Sequence, residues 1–300
     1  MISLTNLWAD PPAPFPTIPC ARADYKGYVY ETQIGAEKVR LPFAVFLPKG
    51  YDTDKNRKWP MIVFLHGGGE IGTDLQGCFV HGFHTEFDKT PAMVNNFPFI
   101  VLHPQSNIGL DPKKTGVYIG WEDKMAQAVV SLIKILPEHY RIDQDRISST
   151  GLSMGGSGVW DVLNEEPNLW SAAVPICGRA FKAPEALAAR LKYCPIWTID
   201  GLADAPHFVG GARRMHKALS GAGCDSQLTL IPNVDHYAWL LHYNNPEFFQ
   251  WLLRQTKPSV EMRGQAEVLY QLKNKDNALF SKGKQVAINV AAEENGGVAT

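Results

Sequence analysis

Residues 146–161 read RISSTGLSMGGSGVWD. A short β-prone run, Ile147-Ser148-Ser149-Thr150, leads into Gly151-Leu152-Ser153-Met154-Gly155, and a helix-compatible stretch follows. Strand, G-x-S-x-G, helix is the order that presents a serine for nucleophilic chemistry at the tip of a strained turn. Residues two places either side of that serine press against neighbouring backbone. Glycine at 151 and 155 removes the Cβ atoms that would collide there. The helix beginning beneath Ser153 points its first amide groups toward any anion that forms at the turn.

The surroundings of this turn are those of an α/β domain. Met61 to Leu65 and Phe99 to His103 are continuous apolar runs, as expected of strands buried on both faces of a parallel sheet. Ala172 to Ile176, Pro195 to Ile199 and Leu228 to Ile231 are three more short apolar runs. Helical spacing recurs at 123–136, with Asp123 as the expected N-cap, and helices are also expected at 184–191, 208–219 and 246–253. Nearer the N-terminus, Tyr28 to Gln33 and Phe43 to Leu47 are aromatic and β-branched with turn residues between them, which predicts an antiparallel pair at one sheet edge. The pattern predicts a mostly parallel twisted sheet with helices on both faces.

The same pattern sets the domain organisation. Residues 1–256 are expected to form one catalytic domain, with 1–24 a proline-rich extended segment. Beyond residue 257 the chain turns polar, so 257–300 is expected to be an appendage, partly disordered, with strand-like pieces at 267–272 and 285–290.

At 300 residues, 45% hydrophobic and 20% charged, the composition is that of a globular protein. A formal net charge of −1 with no long basic run argues against nucleic acid or an anionic membrane surface as partner. No apolar run reaches membrane-spanning length, and the N-terminus lacks a cationic region, so a cytoplasmic location is expected. Five cysteines (20, 78, 177, 194 and 224) are scattered without C-x-x-C spacing. Cys177 and Cys194 read as small buried hydrophobes.

In sheets of this kind ligands bind beyond the carboxyl ends of the strands, so the residues just after each predicted strand are the informative ones. HGGGE comes after 61–65, Ser153 after the strand before it, DGLAD after 195–199, and Pro232-Asn-Val-Asp-His236 after 228–231. Ser153 is the expected nucleophile, and a serine hydroxyl needs a neighbouring base. His236 fits that role in the chain order Ser…Asp…His. Of the nine histidines, His66 and His103 sit at strand ends and are expected to bond backbone. His81 and His84 form an H-x-x-H pair with no evident third ligand, and His139, His207, His216 and His242 read as surface. Asp204 and Asp200 are both placed to orient the imidazole, whereas Asp235 adjoins the base and points away. The oxyanion hole is expected from the Met154 N–H and a donor in the glycine loop, Gly68 rather than Gly69. Trp121 and Trp239 are candidate substrate-binding residues at the mouth of the site.

Taken together these words resemble the α/β-hydrolase superfamily. More closely they resemble its esterase branch of polyhydroxybutyrate depolymerases and feruloyl and acetylxylan esterases, the carbohydrate esterase family 1 type. The resemblance rests on MIVFLHGGGEIGTD (61–74), FIVLHPQ (99–105), YRIDQDRISSTGLSMGGSGVWD (140–161), AAVPICG (172–178), VDHYAW (234–239) and NPEFFQWLL (245–253), covering roughly residues 28–255. The family's H-G-x-x-D word stands here as Asp200-Gly201-Leu202-Ala203-Asp204, which carries the family's acid onto Asp204 and puts Asp200 in place of its histidine. The resemblance implies the α/β-hydrolase fold and a serine ester hydrolase, a carboxylesterase of the EC 3.1.1 type. It would act on a small-molecule ester through an acyl-enzyme on a Ser153–His236–Asp204 triad, with no metal or organic cofactor. A serine peptidase of the same fold and a non-catalytic binding module are the rival expectations.

Overall fold

The computed structural model describes residues 14–107, 120–180 and 183–258. The expected strands at 267–272 and 285–290, residues 1–13 and most of the glycine stretch at 116–120 lie outside them. By Cα proximity the chain divides between Lys257 and Pro258, and the sheet, the helices and the site all belong to the first unit.

Eight strands form one sheet: β1 (Tyr25–Ile34), β2 (Glu37–Phe46), β3 (Trp59–Leu65), β4 (Ile100–Pro104), β5 (Ile142–Leu152), β6 (Ala172–Ile176), β7 (Ile196–Gly201) and β8 (Ser226–Ile231). Their order across the sheet is β1-β2-β4-β3-β5-β6-β7-β8. The β1–β2 and β2–β4 pairs are antiparallel, and the remaining neighbours run parallel. The N-terminal hairpin is thus the antiparallel edge of a mostly parallel sheet.

The helices are α1 (His84–Lys89), α2 (Pro91–Asn96), α3 (Lys124–Ile135), α4 (Met154–Glu165), α5 (Pro184–Arg190), α6 (Pro206–Gly221), α7 (Trp239–His242) and α8 (Pro246–Arg254). They cover both faces because the central strands are apolar on both. In β3 every residue is buried, and its side chains divide by parity. Met61, Val63 and Leu65 pack on the face covered by α3 and α4, while Ile62 and Phe64 pack on the face covered by α1 and α8.

Asp123 stands at the N-cap of α3, but with φ +43° and no side-chain cap bond, so the expected cap is not made. The short helices α1 and α2 and the four-residue α7 were not expected. They are too brief to show a helical period in the sequence.

The turn at Ser153 is fixed by one close approach. A Cβ on Gly155 would lie 1.9 Å from the carbonyl oxygen of Leu65 and 2.6 Å from that of His66, and one on Gly151 would lie 2.6 Å from the Leu65 oxygen. The first turn of α4 therefore lies directly on the end of β3. Gly155→Ala is expected to cost more than about 3 kcal/mol, since backbone rather than a movable side chain blocks the methyl. Gly221→Ala meets nothing within 4 Å at the end of α6 and should be neutral or stabilising by up to about 1 kcal/mol. Urea melts of the two variants check this. Equal stabilities would mean that the close approach does not set the turn.

Candidate active site

Every functional side chain of interest lies just past the C-terminal end of a parallel strand. Ser153 lies between β5 and α4 with φ 55° and ψ −116°, the strained left-handed backbone expected at such a tip. Its N–H donates to the Ile176 carbonyl at 2.9 Å. Asp204 sits in the loop between β7 and α6, His236 in the loop after β8.

His236 Nε2 lies 2.7 Å from Ser153 Oγ, and His236 Nδ1 lies 2.6 Å from Asp204 Oδ2. The second Asp204 oxygen accepts from the Ala205 N–H at 2.6 Å. The carboxylate side chain is 4% exposed and the imidazole 30%. A proton on Nδ1 donating to Asp204 leaves Nε2 as the acceptor for the serine hydroxyl, the tautomer this network selects. The three residues named from the sequence thus lie in one hydrogen-bonded line.

A fourth group joins them. The Cys177 sulfur, an Asp204 oxygen and a His236 ring nitrogen lie within 4.8 Å of one another. Cys177 is the first residue after β6, at φ 50°, with its N–H on the Ile199 carbonyl at 2.9 Å. Cys177 is the small buried residue the sequence predicts, yet its sulfur also borders the acid–base pair. The expectation of a serine ester hydrolase is corrected: a Cys177–Asp204–His236 cluster shares the same acid and base. The enzyme class, serine carboxylesterase, and the serine-bearing elbow as the sole mark of the nucleophile are withdrawn on that finding.

The two neighbours of the pair differ physically. Ser153 lines a cavity of about 660 Å³, whereas Cys177 is 0% exposed. Burial, then the charge of Asp200, push the Cys177 thiol well above its ordinary range. A reactive thiol needs the opposite, an electropositive and accessible setting. Both ring nitrogens of His236 and both Asp204 oxygens are engaged in the bonds above, so the cluster is an acid–base assembly.

Gly68 and Met154 both line the cavity. The Gly67 N–H is taken by Glu70 Oε2 at 2.9 Å, while Oε1 of the same carboxylate accepts from the His81 N–H at 2.9 Å. Glu70 is 2% exposed, and burial pushes its carboxyl up to about 7 against the three backbone donors that favour the charged form. It staples the glycine loop to the 80s loop. Sequence reasoning passed over it, although its place directly after three glycines was a signal. Arg179, Phe208 and Tyr237 also line the cavity without having been singled out.

Trp239 lines the cavity, 3% exposed, edge-on to His236 at 5.5 Å between centroids. Trp121 is placed in the core, 1% exposed, its indole N–H donating to the His66 carbonyl at 3.1 Å. His66 bonds backbone as expected, through Gly67 O at 2.8 Å and Ser106 N at 3.0 Å. His103 does not: among the described residues its ring nitrogens and those of His84 have no partner at ordinary geometry. Both rings sit in an aromatic cage with Tyr25, Phe64 and Phe79.

Burial depresses His66 to about 4 and His84 to about 3, from 6.5. A histidine depressed in the folded state contributes stability that is whole above its unfolded value and is lost as pH falls through the window toward the folded one. Between pH 6.5 and 5 each ring should cost about 2 kcal/mol. Glu70, raised when folded, acts in the reverse sense as pH climbs through 7. His84→Phe should therefore flatten the difference between urea melts at pH 7.5 and 5.0. An unchanged difference would contradict the neutral buried ring.

The sequence profile of the dienelactone hydrolase family matches residues 112–245. A comparison with curated proteins finds no match. Among solved structures, a thermostable esterase is 30% identical with a TM-score of 0.63, over 78% of this chain and 64% of that one. The chain therefore spans just under two thirds of that relative. A ferulic acid esterase is 18% identical with a TM-score of 0.55, over 76% of this chain and 97% of the other. A putative dipeptidyl aminopeptidase IV from Bacteroides ovatus is 17% identical with a TM-score of 0.56, over 76% of this chain and 36% of the other. The sheet order, its antiparallel edge and the helices on both faces are those of the α/β-hydrolase fold, and the similar proteins are esterases and peptidases of that superfamily.

Proposed function

We propose, from the chain's place among α/β-hydrolase superfamily homologues, that it hydrolyses small acyl substrates, esters foremost, with Asp204 and His236 as the acid–base pair. The observation that carries this reading is the 2.6 Å Asp204–His236 bond opening onto a 660 Å³ cavity with a nucleophile-type side chain against the ring. The likeness to a thermostable esterase supports an ester as the bond cleaved. The finer placement near feruloyl and acetylxylan esterases is part of the same proposal, supported by the fold shared with a ferulic acid esterase.

At residue level the proposed site is Ser153, Asp204 and His236, with the N–H groups of Gly68 and Met154 receiving the developing oxyanion. The 2.7 Å bond from Ser153 to His236 and the hydroxyl's place on the cavity wall support it. The reading built on the Cys177–Asp204–His236 cluster is its rival. With Ser153 as the attacking group, its hydroxyl passes its proton to Nε2 as its bond to the acyl carbon forms. Nε2 then returns that proton to the leaving oxygen, and water repeats the cycle to release the acid. Each oxyanion donor is worth about 2.7–4 kcal/mol of barrier. For the chain as a whole we propose one catalytic unit over 1–256 and an appendage over 257–300.

The deciding experiment runs Ser153→Ala and Cys177→Ala against a chain-length series of p-nitrophenyl esters, feruloyl and acetylated-sugar esters, and a peptide. Loss of about 10⁴-fold or more in kcat for Ser153→Ala, with Cys177→Ala within a few-fold of wild type, supports the residue set. The reverse pattern would hand the chemistry to Cys177, and no turnover of any ester by the wild type would end the reading altogether. Trp239→Ala should raise KM for bulky aryl esters more than for acetyl esters. An equal loss on all substrates with a large fall in Tm would make that residue packing alone.

A further inference from the structure

The glycine loop is held by a buried carboxylate that the proposed chemistry does not use. Glu70 is 2% exposed and lies on the cavity wall. Its Oε2 accepts the Gly67 N–H and its Oε1 the His81 N–H, each at 2.9 Å. Its own backbone is tied at both groups. The Glu70 N–H donates to the Gly67 carbonyl at 3.2 Å, and the Glu70 carbonyl accepts from Gln105 Nε2 at 3.1 Å. The turn at 68–70 is thereby closed on itself and fastened to the 80s loop and to the chain just past β4. Gly68 and Gly69 lie inside this closed turn and line the cavity. As its opening residues they find no acceptor within it, and no backbone carbonyl outside it takes their N–H groups among the described residues. The Gly67 N–H, by contrast, is already engaged.

We infer that Glu70 is a positioning residue for the oxyanion: by taking up the N–H groups of Gly67 and His81 it fixes the glycine loop with the next amide, that of Gly68, turned to the acyl oxygen. The inference rests on the proposed acyl-transfer reading, in which Gly68 is one of the two donors. Two separate donors on two separate oxygens call for a carboxylate. A glutamine at 70 offers one carbonyl oxygen. Its NH2 would face the N–H that the other oxygen had held, leaving a buried donor unpaired. The loop must then shift to satisfy that donor, and a displacement of about 1 Å costs on the order of 10²-fold in rate. The Glu70 oxygens are engaged with backbone, so the side chain acts through the loop rather than on the substrate.

The probe that tests this is an alkyl trifluoromethyl ketone. The Ser153 oxygen adds to its carbonyl carbon, the C=O π pair moves onto the ketone oxygen as an oxyanion, and the serine proton passes to His236 Nε2. In the wild type grown on isotope-labelled glycine, the Gly68 N–H resonance should move downfield as the adduct forms, while that of Gly67, held by Glu70, stays in place. A Gly68 resonance that does not move, or a Gly67 resonance that moves in its stead, would overturn the inference even if every variant failed to fold. Glu70→Gln should lower kcat for a p-nitrophenyl ester roughly 10²-fold with KM little changed, and weaken the ketone by the same factor. The matching alcohol, which forms no adduct, should bind as tightly as before. A lower Tm with kcat and ketone affinity unchanged would make Glu70 a structural residue alone and equally overturn the inference. A wild type that turns over no ester yet shows the Gly68 shift would leave the inference standing and remove the proposed function.

Discussion

The site depends on one steric fact, the contact of the first turn of α4 with the end of β3. Gly155 meets the Leu65 and His66 carbonyls at distances that admit no side chain. Met154, at the start of α4, and Gly68, in the loop that succeeds β3, line one cavity. The contact forces Ser153 into positive φ, lifting its hydroxyl off the sheet. The parallel pairing of β3 with β5, Leu65 opposite Gly151, sets the level at which this happens. Strain at one residue is held there by two buried strands, as backbone strain at functional sites must be.

Around that turn the sheet gathers polar groups that would be costly elsewhere. Asp204 is nearly buried, Asp200 and Cys177 fully so, and Glu70 almost so. Each has a reason in the network. Asp204 holds the ring, Glu70 holds two backbone donors, and Cys177 packs against the acid–base pair with its thiol proton retained. Burial pushes the carboxyl of Glu70 and the thiol of Cys177 up from their ordinary ranges.

Much of this was legible in the sequence, and the failures have physical causes. Continuous apolar runs located β3, β4 and β6 because a strand buried on both faces has no polar side to confuse the reading. The residues after four strand ends gave Ser153, Asp204, His236 and the glycine loop. Cys177, directly after β6, was read as core and is buried there, but nothing in the sequence placed its sulfur beside Asp204 and His236. Glu70 was missed because a carboxylate one residue from a turn normally faces water, and only the folded loop shows the two N–H groups that bury it. His103 was expected to bond backbone but lies in an aromatic cage assembled from β1, β3 and the 80s loop, contacts between segments far apart in sequence. Asp123 had the right type for an N-cap and the wrong backbone, since the chain enters α3 through positive φ.

In the proposed chemistry His236 drives acyl transfer to the group hydrogen-bonded to it. The most direct test is mass spectrometry of the protein quenched in acid during turnover of an activated ester, with the adduct mapped to a peptide. One acyl group on Ser153, absent when His236 is replaced by Ala, is the predicted result. An adduct on Cys177, an adduct that forms equally without His236, or turnover with no adduct at all would contradict it.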